Sequence, residues 1–483
     1  MDTAAATAAG PATGATGTPG ADTGRLRRAA RRLRAPRLDP YWTAAFFFVA
    51  FAVLSVCRFR TMSNSSWDLG IFEQAVRGYA HLRAPIVDLK GPGTNVLGDH
   101  FSPVLVVLAP IYRLIPSPLT LLLAQAALFA ASAIPVTRAA ARHLGRLPGL
   151  AVGVAYGLSW GMQKAVDFDF HEIAFALPLI AFALEAVLRG RWTAAVCWAA
   201  PLVLVKEDLG VTAATVGALV LIRTRRAVPA AVALTVFGVV ATAVTLGVII
   251  PGFNGSGSYD YWNKIGTGGG SAPAIPLDTA VRTTLWVLLP TTGLLALRSP
   301  LLLAGLPTLG WRFLSHEPHY WGIDWHYNAV LMPVVFLALV DALPRARTSA
   351  RPWLRAYAHH LPAAALACAL ALTTTLPLSR LTEAATYRVP ASVTAAERLL
   401  ARIPDGASVE ADIRPLSRLT GRTRVFWTGD TGGLAPDYIA VQRPADRTPP
   451  QALADAAARH PGSAYVLTGA AGDLVVFHRT SAR

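Results

Sequence analysis

Charged side chains are scarce in this chain. Asp, Glu, Lys and Arg make up 15% of it, against about a quarter in ordinary soluble domains. That shortage excludes a water-solvated surface over most of the molecule. Cysteine is nearly missing as well. The three present, Cys57, Cys197 and Cys368, lie in or beside apolar runs and form no CxxC pair, so neither a disulfide framework nor a zinc site of that type is supported. Lysine is confined to Lys90, Lys164, Lys206 and Lys264 in a chain with 44 basic residues. There is no P-loop, no G-x-S-x-G in the polar loops and no HExxH, which removes P-loop nucleotide hydrolysis, serine hydrolysis and zincin chemistry as readings.

What the chain has instead is apolar length. Runs of about 20 residues recur from Tyr41 to Leu378, enough to cross a hydrocarbon core of about 30 Å. The expected fold class is an all-α polytopic membrane protein with about eleven transmembrane helices, plus a small C-terminal α/β domain. The net charge of +16 would suggest nucleic acid in a soluble chain. Here arginines flank apolar runs, as anchors on the cytoplasmic side do, so the expected partner is the lipid bilayer and no nucleic acid.

Three regions are expected. Residues 1–37 form a disordered, basic cytoplasmic tail, Ala/Gly/Thr-rich up to residue 24 and then "GRLRRAARRLRAPR". Residues 38–378 form the membrane domain. Residues 379–483 carry short alternating β-branched runs split by Gly, Pro and Asp, with "TPPQALADAAARH" as a helix between them, and form the extracytoplasmic α/β domain. No small-residue cleavage site follows "FFFVAFAVLSVCRFR", so the first run reads as an uncleaved span.

Spans are expected at about 41–57, 118–137, 147–162, 172–188, 192–205, 209–223, 227–250, 279–297, 299–314, 326–343 and 358–378. The ambiguous piece is 101–115, "FSPVLVVLAPIYRLI", short and interrupted by Pro103 and Pro110. Taken as non-spanning, it leaves the basic loops "RAAARHLGR", "RGR", "RTRR" and "RARTSARPWLR" all on the cytoplasmic side. The N-terminus is then cytoplasmic, the C-terminal domain extracytoplasmic and the protein multi-pass in the plasma membrane. Every chemically unusual stretch falls on the outer face, together with all four lysines.

Ionisable residues at a membrane edge are expensive and mark candidate sites. In "SNSSWDLGIFEQAVRGYAHL", Phe72, Ala75, Val76 and Tyr79 keep i, i+3, i+4, i+7 spacing, which predicts an amphipathic helix at the interface. Glu73, Arg77 and His81 lie four apart on another face, where they can pair. Ser65 and Asp68 resemble a helix-start cap. Asp68 either complements the helix dipole or serves a site. Asp99-His100 can bind metal, orient a base or cap a turn. In "VDFDFHE", an extended chain would put Asp167, Asp169 and His171 on one side, a candidate for metal or sugar hydroxyls, with Glu172 beside them. Solvated residues at a span end are the plainer alternative. "LVLVKEDLGV" sets Lys206, Glu207 and Asp208 between two apolar runs, where Lys206 could attract phosphate or the three could neutralise one another. "HEPHYWGIDWHYN" concentrates His316, Glu317, His319, Asp324 and His326 among aromatics, more ionisable groups than an interfacial aromatic belt explains.

The stretches "WDLGIFEQAVRGYA", "LGDHFSPVLVVLAPIYRLIPSPLTLLLAQA", "FDFHEIAFALPL" and "LVKEDLG" resemble the bacterial membrane family catalogued as domain of unknown function 2079, over roughly residues 41–345. A looser match runs through "IPDGASVEADIRPLSRLTGR". The architecture is similar to GT-C glycosyltransferases, which use polyprenyl-phosphate sugars. That resemblance implies juxtamembrane helices in the first outer loop and a catalytic carboxylate at the Asp68 position, with Glu73 a less favoured partner. It assigns 101–115 the role of a second juxtamembrane segment. Many GT-C enzymes carry paired acidic residues here, whereas Asp68 stands alone unless Asp99 complements it.

The resulting expectation is transfer of a sugar from a polyprenyl-phosphate donor to an envelope glycan, lipid or protein acceptor. Asp68 would be the catalytic base. Glu73, Asp99, His100, Asp169, His171, Glu172, Lys206, Glu207, Asp208, His316, His319 and His326 would bind substrate. The residues fix no cofactor and leave the need for a divalent metal open. If a metal is used, Mg or Mn on Asp167, Asp169 and His171 is the expected arrangement. A transporter or flippase for a lipid-linked or anionic solute is the second reading, although neither midplane charges nor internal repeats are visible. A non-catalytic envelope scaffold is the third.

Overall fold

A computed structural model describes residues 35–264 and 275–480. The expected tail over 1–37 lies almost wholly outside the described residues. Most of the chain is helical, with a small sheet near the C-terminus. Among the described residues four helices are long and apolar enough to cross a membrane: Pro36–Arg60, Pro118–Leu144, Pro229–Phe253 and Pro352–Thr373. A fifth forms if Pro318–Asn328 and Leu331–Arg347, bent by 68° at their junction, count as one span. Pro118, Pro229 and Pro352 each sit in a first helical turn, where the missing N–H has no intrahelical acceptor to lose.

Several other expected spans are shorter or broken. Segment 192–205 is a helix, Trp192–Ala199, that tightens to a 3-10 turn at Pro201. Segment 299–314 begins as the 3-10 stretch Pro300–Gly305 before helix Leu306–Leu314. The expectation of about eleven full-length spans therefore meets four or five long helices and a set of short apolar ones. Local proline and glycine chemistry breaks runs that hydropathy alone joins. Segment 101–115 forms a 3-10 turn, Pro103–Leu108, and one short helix, Ala109–Leu114, with Pro103 and Pro110 each at an N-terminal turn.

The packed centre is made by Pro118–Leu144, Ala176–Leu188 and Leu331–Arg347. From Leu331 to Val340 every residue is buried, so this helix is enclosed on all sides. By contrast Pro229–Val244 buries only Ala231, Leu234 and Gly238 and leaves Val236, Phe237, Val239 and Val240 exposed, the all-apolar surface a lipid-facing helix requires.

The first-loop helix runs Trp67–Ala80. It is less amphipathic than its spacing suggested: Leu69 through Val76 are buried without a break. The reason is that the C-terminal region packs onto the face expected to meet water. Glu73 and Arg77 accordingly do not pair with each other. Glu73 accepts from Tyr112 Oη at 2.9 Å and from the Thr420 hydroxyl, and Arg77 Nη1 donates to the carbonyls of Thr420 (2.7 Å) and Thr423 (2.8 Å). Gln74 Nε2 donates to Val425 O at 3.0 Å. Gly70 lets the C-terminal region approach closely, since a Cβ there would meet the tip of the Leu416 side chain at 2.0 Å and have to displace it.

The sheet has five strands, β1 Ser408–Ala411, β2 Arg424–Trp427, β3 Tyr438–Gln442, β4 Ala464–Ala471 and β5 Leu474–Thr480. Their order is β2-β1-β3-β5-β4. β1 pairs in parallel with both β2 and β3, and β5 pairs antiparallel with β3 and β4. The helix expected in "TPPQALADAAARH" is Pro449–Ala458, started by a Thr448–Gln451 capping box. Residues 40–483 form one compact unit, so the sheet is joined to the helical part rather than tethered to it.

Candidate functional site

Three chain segments meet beside the first-loop helix and are held there by backbone-level contacts. Helix Trp160–Phe168 ends at Asp169, whose φ of 109° lies in a region that only a constrained non-glycine residue occupies. Its carboxylate Oδ2 accepts from Ser66 N–H at 2.6 Å and Asn64 Nδ2 at 3.3 Å. That bond does the work expected of a Ser65 side-chain cap, because Ser66 is the N-cap residue and caps with no side chain of its own. Gln125 clamps the same turn, donating to Asp169 O at 2.7 Å and accepting from His171 N–H at 3.0 Å. Burial lifts the Asp169 carboxyl to about 7, against the Ser66 hydrogen bond and the Arg58 charge.

These contacts aim Asp68 and His171 at one another. His171 Nε2 lies 3.9 Å from Asp68 Oδ2, and His171 Nδ1 lies 2.5 Å from Glu172 Oε2. Lys206 Nζ is 3.2 Å from Glu172 Oε1. The His171 ring stacks on His326 with centroids 3.8 Å apart. Burial pushes the Asp68 carboxyl above the usual carboxylate range, and the His171 imidazole opposes that shift.

Asp68 opens into a cavity of about 870 Å³. Lys90, Asp99, His100, His171, Lys206, Glu207, Asp208 and His319 also line it. Its walls are mainly apolar and aromatic, including Phe72, Leu246, Trp311, Tyr320 and Tyr327, with Ile413 contributed by the C-terminal region. A second, polar cavity of about 600 Å³ adjoins it and shares Lys90, Asp99, Tyr261 and Lys264. His100 Nδ1 is 2.7 Å from Glu207 Oε1, which also accepts from Tyr259 Oη at 3.1 Å. Lys90 pairs with Asp99 at 3.1 Å.

The remaining expected residues fall elsewhere. Glu73 is sealed into the contact with Thr420 and Tyr112. Asp169 sits behind the wall on Ser66. Glu172 is buried behind His171, as is His326, and neither lines the cavity. His316 gives its backbone N–H to Lys264 O at 2.7 Å, with its ring outside the cavity lining. Asp167 is engaged by Arg58 and Arg380, each at 2.8 Å. The expected set Asp167, Asp169 and His171 therefore does not share one side: the chain turns at Asp169 instead of staying extended. The group of three ligand-type residues that does converge is Asp68, His171 and His326, whose donor atoms all lie within 4.8 Å of one another. The sequence reading passes over Tyr259 and Tyr261 and assigns Tyr320 and Tyr327 to an interfacial aromatic belt, whereas all four line the cavity. Their signal was available in "YDYW" and "HYW…WHY", where aromatics crowd stretches already rich in charge.

The model of the family described as predicted membrane protein DUF2079 matches residues 58–459. No curated protein matches the sequence. Among solved structures, ArnT from Cupriavidus metallidurans bound to undecaprenyl phosphate is similar at 16% identity and a TM-score of 0.50, covering 90% of this chain and 97% of that one. The same protein in the apo state aligns at 14% identity and a TM-score of 0.49, covering 85% and 93%. At that identity the likeness is one of fold.

Proposed function

Because the chain belongs to the DUF2079 family of predicted membrane proteins and has an ArnT-like fold, we propose that it is a GT-C-type membrane glycosyltransferase. It moves a sugar from a polyprenyl-phosphate donor to an envelope acceptor on the extracytoplasmic face. The observation that carries this reading is a half-buried carboxylate, Asp68, opening into a large, mainly apolar cavity that also holds a buried lysine, Lys206. ArnT, a structural neighbour, is bound to undecaprenyl phosphate, a polyprenyl phosphate. The apolar walls suit a polyprenyl chain, and the adjoining polar cavity suits a hydrophilic acceptor.

In this mechanism Asp68 accepts the proton of the acceptor hydroxyl. The oxygen forms a bond to the anomeric carbon while the bond from that carbon to the lipid phosphate breaks, and the electron pair leaves on phosphate. A carboxyl raised by burial is a stronger base than a solvated one, which favours the proton transfer. Lys206 faces the charge that develops on the leaving phosphate, with Glu172 holding the ammonium in position and Lys264 available from the far wall. The eleven-span arrangement, with a cytoplasmic N-terminus and the sheet outside, belongs to the same proposal and rests on the arginine asymmetry of the loops.

The test is transfer from radiolabelled polyprenyl-phosphate sugars to envelope acceptors by purified wild type and Asp68→Asn. Loss of about 10²–10⁴ in rate with unchanged melting is expected for removal of a general base. Equal rates would remove Asp68 from that role. Absence of transfer with every donor, together with solute uptake into liposomes, would favour transport instead.

A further inference from the structure

His100 and Glu207 lie 107 residues apart in the chain, one just after the 3-10 turn Val96–Gly98 and the other just before helix Leu209–Thr224. Three donors converge on the buried Glu207 carboxylate: His100 Nδ1 at 2.7 Å, Tyr259 Oη at 3.1 Å and Phe101 N–H at 3.2 Å. The first two reach Oε1 and the third reaches Oε2, so both oxygens are engaged. A carboxylate that accepts from Nδ1 fixes the tautomer and orientation of the ring and leaves Nε2 as the working nitrogen. Among the described residues Nε2 has no hydrogen-bond partner. The ring lines the large cavity, with 21% of its side chain exposed.

This imidazole stands among cations. Lys206 is the residue before Glu207, and the His100 ring packs on Tyr261 with centroids 4.5 Å apart. Tyr261 in turn has Lys264 Nζ 4.6 Å from its ring centre. A phosphate drawn to Lys206 or Lys264 therefore arrives beside His100. Lysine, with an ordinary pKa of about 10.4, attracts such a group without readily giving it a proton, whereas histidine exchanges protons near neutral pH. The charges that act on the imidazole are Glu207, Asp99, Glu172 and Asp68 on the negative side and Lys206 on the positive, with His326 behind the wall. Tyr259 and Tyr261, pushed up by burial, stay neutral beside it. Burial disfavours the protonated ring, but the Glu207 charge outweighs burial and holds His100 above the ordinary 6.5, against the pull of Lys206.

We infer that His100, oriented by Glu207, is the general acid that protonates the departing lipid phosphate. This rests on the glycosyl-transfer reading and supplies its second proton step. As the bond from the anomeric carbon to the phosphate oxygen breaks, the electron pair goes to that oxygen and the Nε2 proton follows it. Asp68 takes the proton of the acceptor hydroxyl on the other side of the reaction. The lipid leaves as a hydrogen phosphate, and the proton on Asp68 returns across the shared cavity to His100. The net change is one proton passed from acceptor to phosphate. A phosphate monoester takes up its second proton with a pKa of about 6, close enough to imidazolium for transfer in either direction near neutral pH. Glu207 touches the imidazole and not the substrate, so it is a positioning residue.

Two measurements on full-length protein in nanodiscs test this, and the first needs no turnover. Binding of undecaprenyl phosphate is compared at pH 7 and pH 9 in wild type and His100→Gln. Loss of the imidazolium should weaken wild-type binding about tenfold over that interval, and His100→Gln should lose much less. Asp68, the lysines and the phosphate itself titrate in both proteins, so the difference isolates the imidazole. The second measurement is the pH profile of sugar transfer. His100→Gln should lower the rate about 10²-fold and abolish the fall on the alkaline side. Glu207→Gln removes the charge facing the imidazole and should move that alkaline fall to lower pH by about one unit, which a purely structural glutamate would not do. Binding that weakens equally in wild type and His100→Gln, or an alkaline fall that survives the substitution, would overturn the acid role and leave glycosyl transfer standing. Wild-type binding that does not weaken between pH 7 and 9 would overturn it without any variant. Wild type that binds no undecaprenyl phosphate would overturn both readings.

Discussion

Glu172 and Glu185 stand at opposite ends of one stretch of chain, the 3-10 turn Glu172–Phe175 followed by helix Ala176–Leu188, about 20 Å apart at 1.5 Å per residue. Both are buried, yet their partners differ in kind. Glu185 is gripped by Arg138 through two bonds of 2.6 and 2.5 Å, with Arg189 at 3.5 Å. Nearby, Asp341 has Arg223 at 2.5 Å, Arg345 at 3.1 Å and the Ser299 hydroxyl at 2.6 Å. Glu172 has instead a histidine and a lysine. Among the described residues the cavity lining contains no arginine, although it holds Lys90, Lys206 and Lys264, three of the four lysines in the chain. Arginine's planar, permanently charged fork closes a carboxylate into a fixed pair. Lysine and histidine leave it able to exchange partners and protons. One end of the helix is built to stay as it is, and the other to change.

The sharpest way to break this contrast is to remove one carboxylate from each end. Asp68→Asn should lower transfer by about 10²–10⁴ while leaving the melting temperature in place. Glu185→Gln should do the reverse. Its arginines are partly exposed, 36% for Arg138 and 21% for Arg189, so they can recover water and the loss should stay near 1–2 kcal/mol. Transfer per folded molecule should be unchanged. A Glu185→Gln protein that melts normally but transfers poorly would erase the distinction. Lys206→Arg sharpens it further: charge is kept but the compact ammonium is replaced by a fork, and a fall in kcat of about tenfold or more is expected if position rather than charge matters. Wild-type kcat in that variant would mean that any cation serves.

How much of this could be read beforehand follows the range of the interaction. The Trp67–Ala80 helix, the proline-broken 101–115 piece and the Pro449 helix start depend on neighbours within a few residues, and spacing, proline and capping chemistry expose them. The concentration of Asp68, His100, His171, Lys206, Glu207 and His319 on one cavity was legible because loop charge asymmetry sorted them to one face. What was not legible depends on distant partners. Glu73 reads as a helix-surface acid until Thr420, 347 residues on, covers it. Asp167 and Asp169 look equivalent until the positive φ at Asp169 turns one toward Ser66 and leaves the other to Arg58 and Arg380. His326 resembles its neighbours His316 and His319 in sequence, and only the bend before Leu331 buries it against His171.

Asp68 and Glu73 extend the comparison to two carboxylates on a single helix, one open to the cavity and one sealed by the sheet region. Burial lifts Glu73 to about 7 from an ordinary 4.5, and the hydrogen bonds from Thr420 and Tyr112 pull it partly back. The folded state therefore holds this proton more tightly than the unfolded chain. The stability it contributes is complete below pH 4.5 and is lost as pH rises through about 7, by at most about 3 kcal/mol. Glu73→Gln keeps the carbonyl acceptor and cannot ionise, so it should flatten that dependence and melt higher than wild type at pH 8. Parallel melting curves for the two proteins between pH 5 and 8 would show that Glu73 does not titrate in the fold.

The smallest effect is expected where the same sheet region meets water. Arg424 donates through Nε and Nη2 to Asp88, both at 2.9 Å, which is good bidentate geometry. Its side chain is nevertheless 48% exposed, and solvent and salt screen such a pair to under about 1 kcal/mol. Asp88 also accepts from Gly93 N–H at 2.8 Å, so it keeps a partner when the guanidinium goes. Arg424→Ala should therefore shift melting by a degree or two at low salt and less at high salt, with transfer unaffected. A drop as large as that of Glu185→Gln would mean that the sheet is held by its rim. The buried contacts of Glu73, Gln74 and Arg77, and the close approach of Leu416 to Gly70, predict that it is held from the inside.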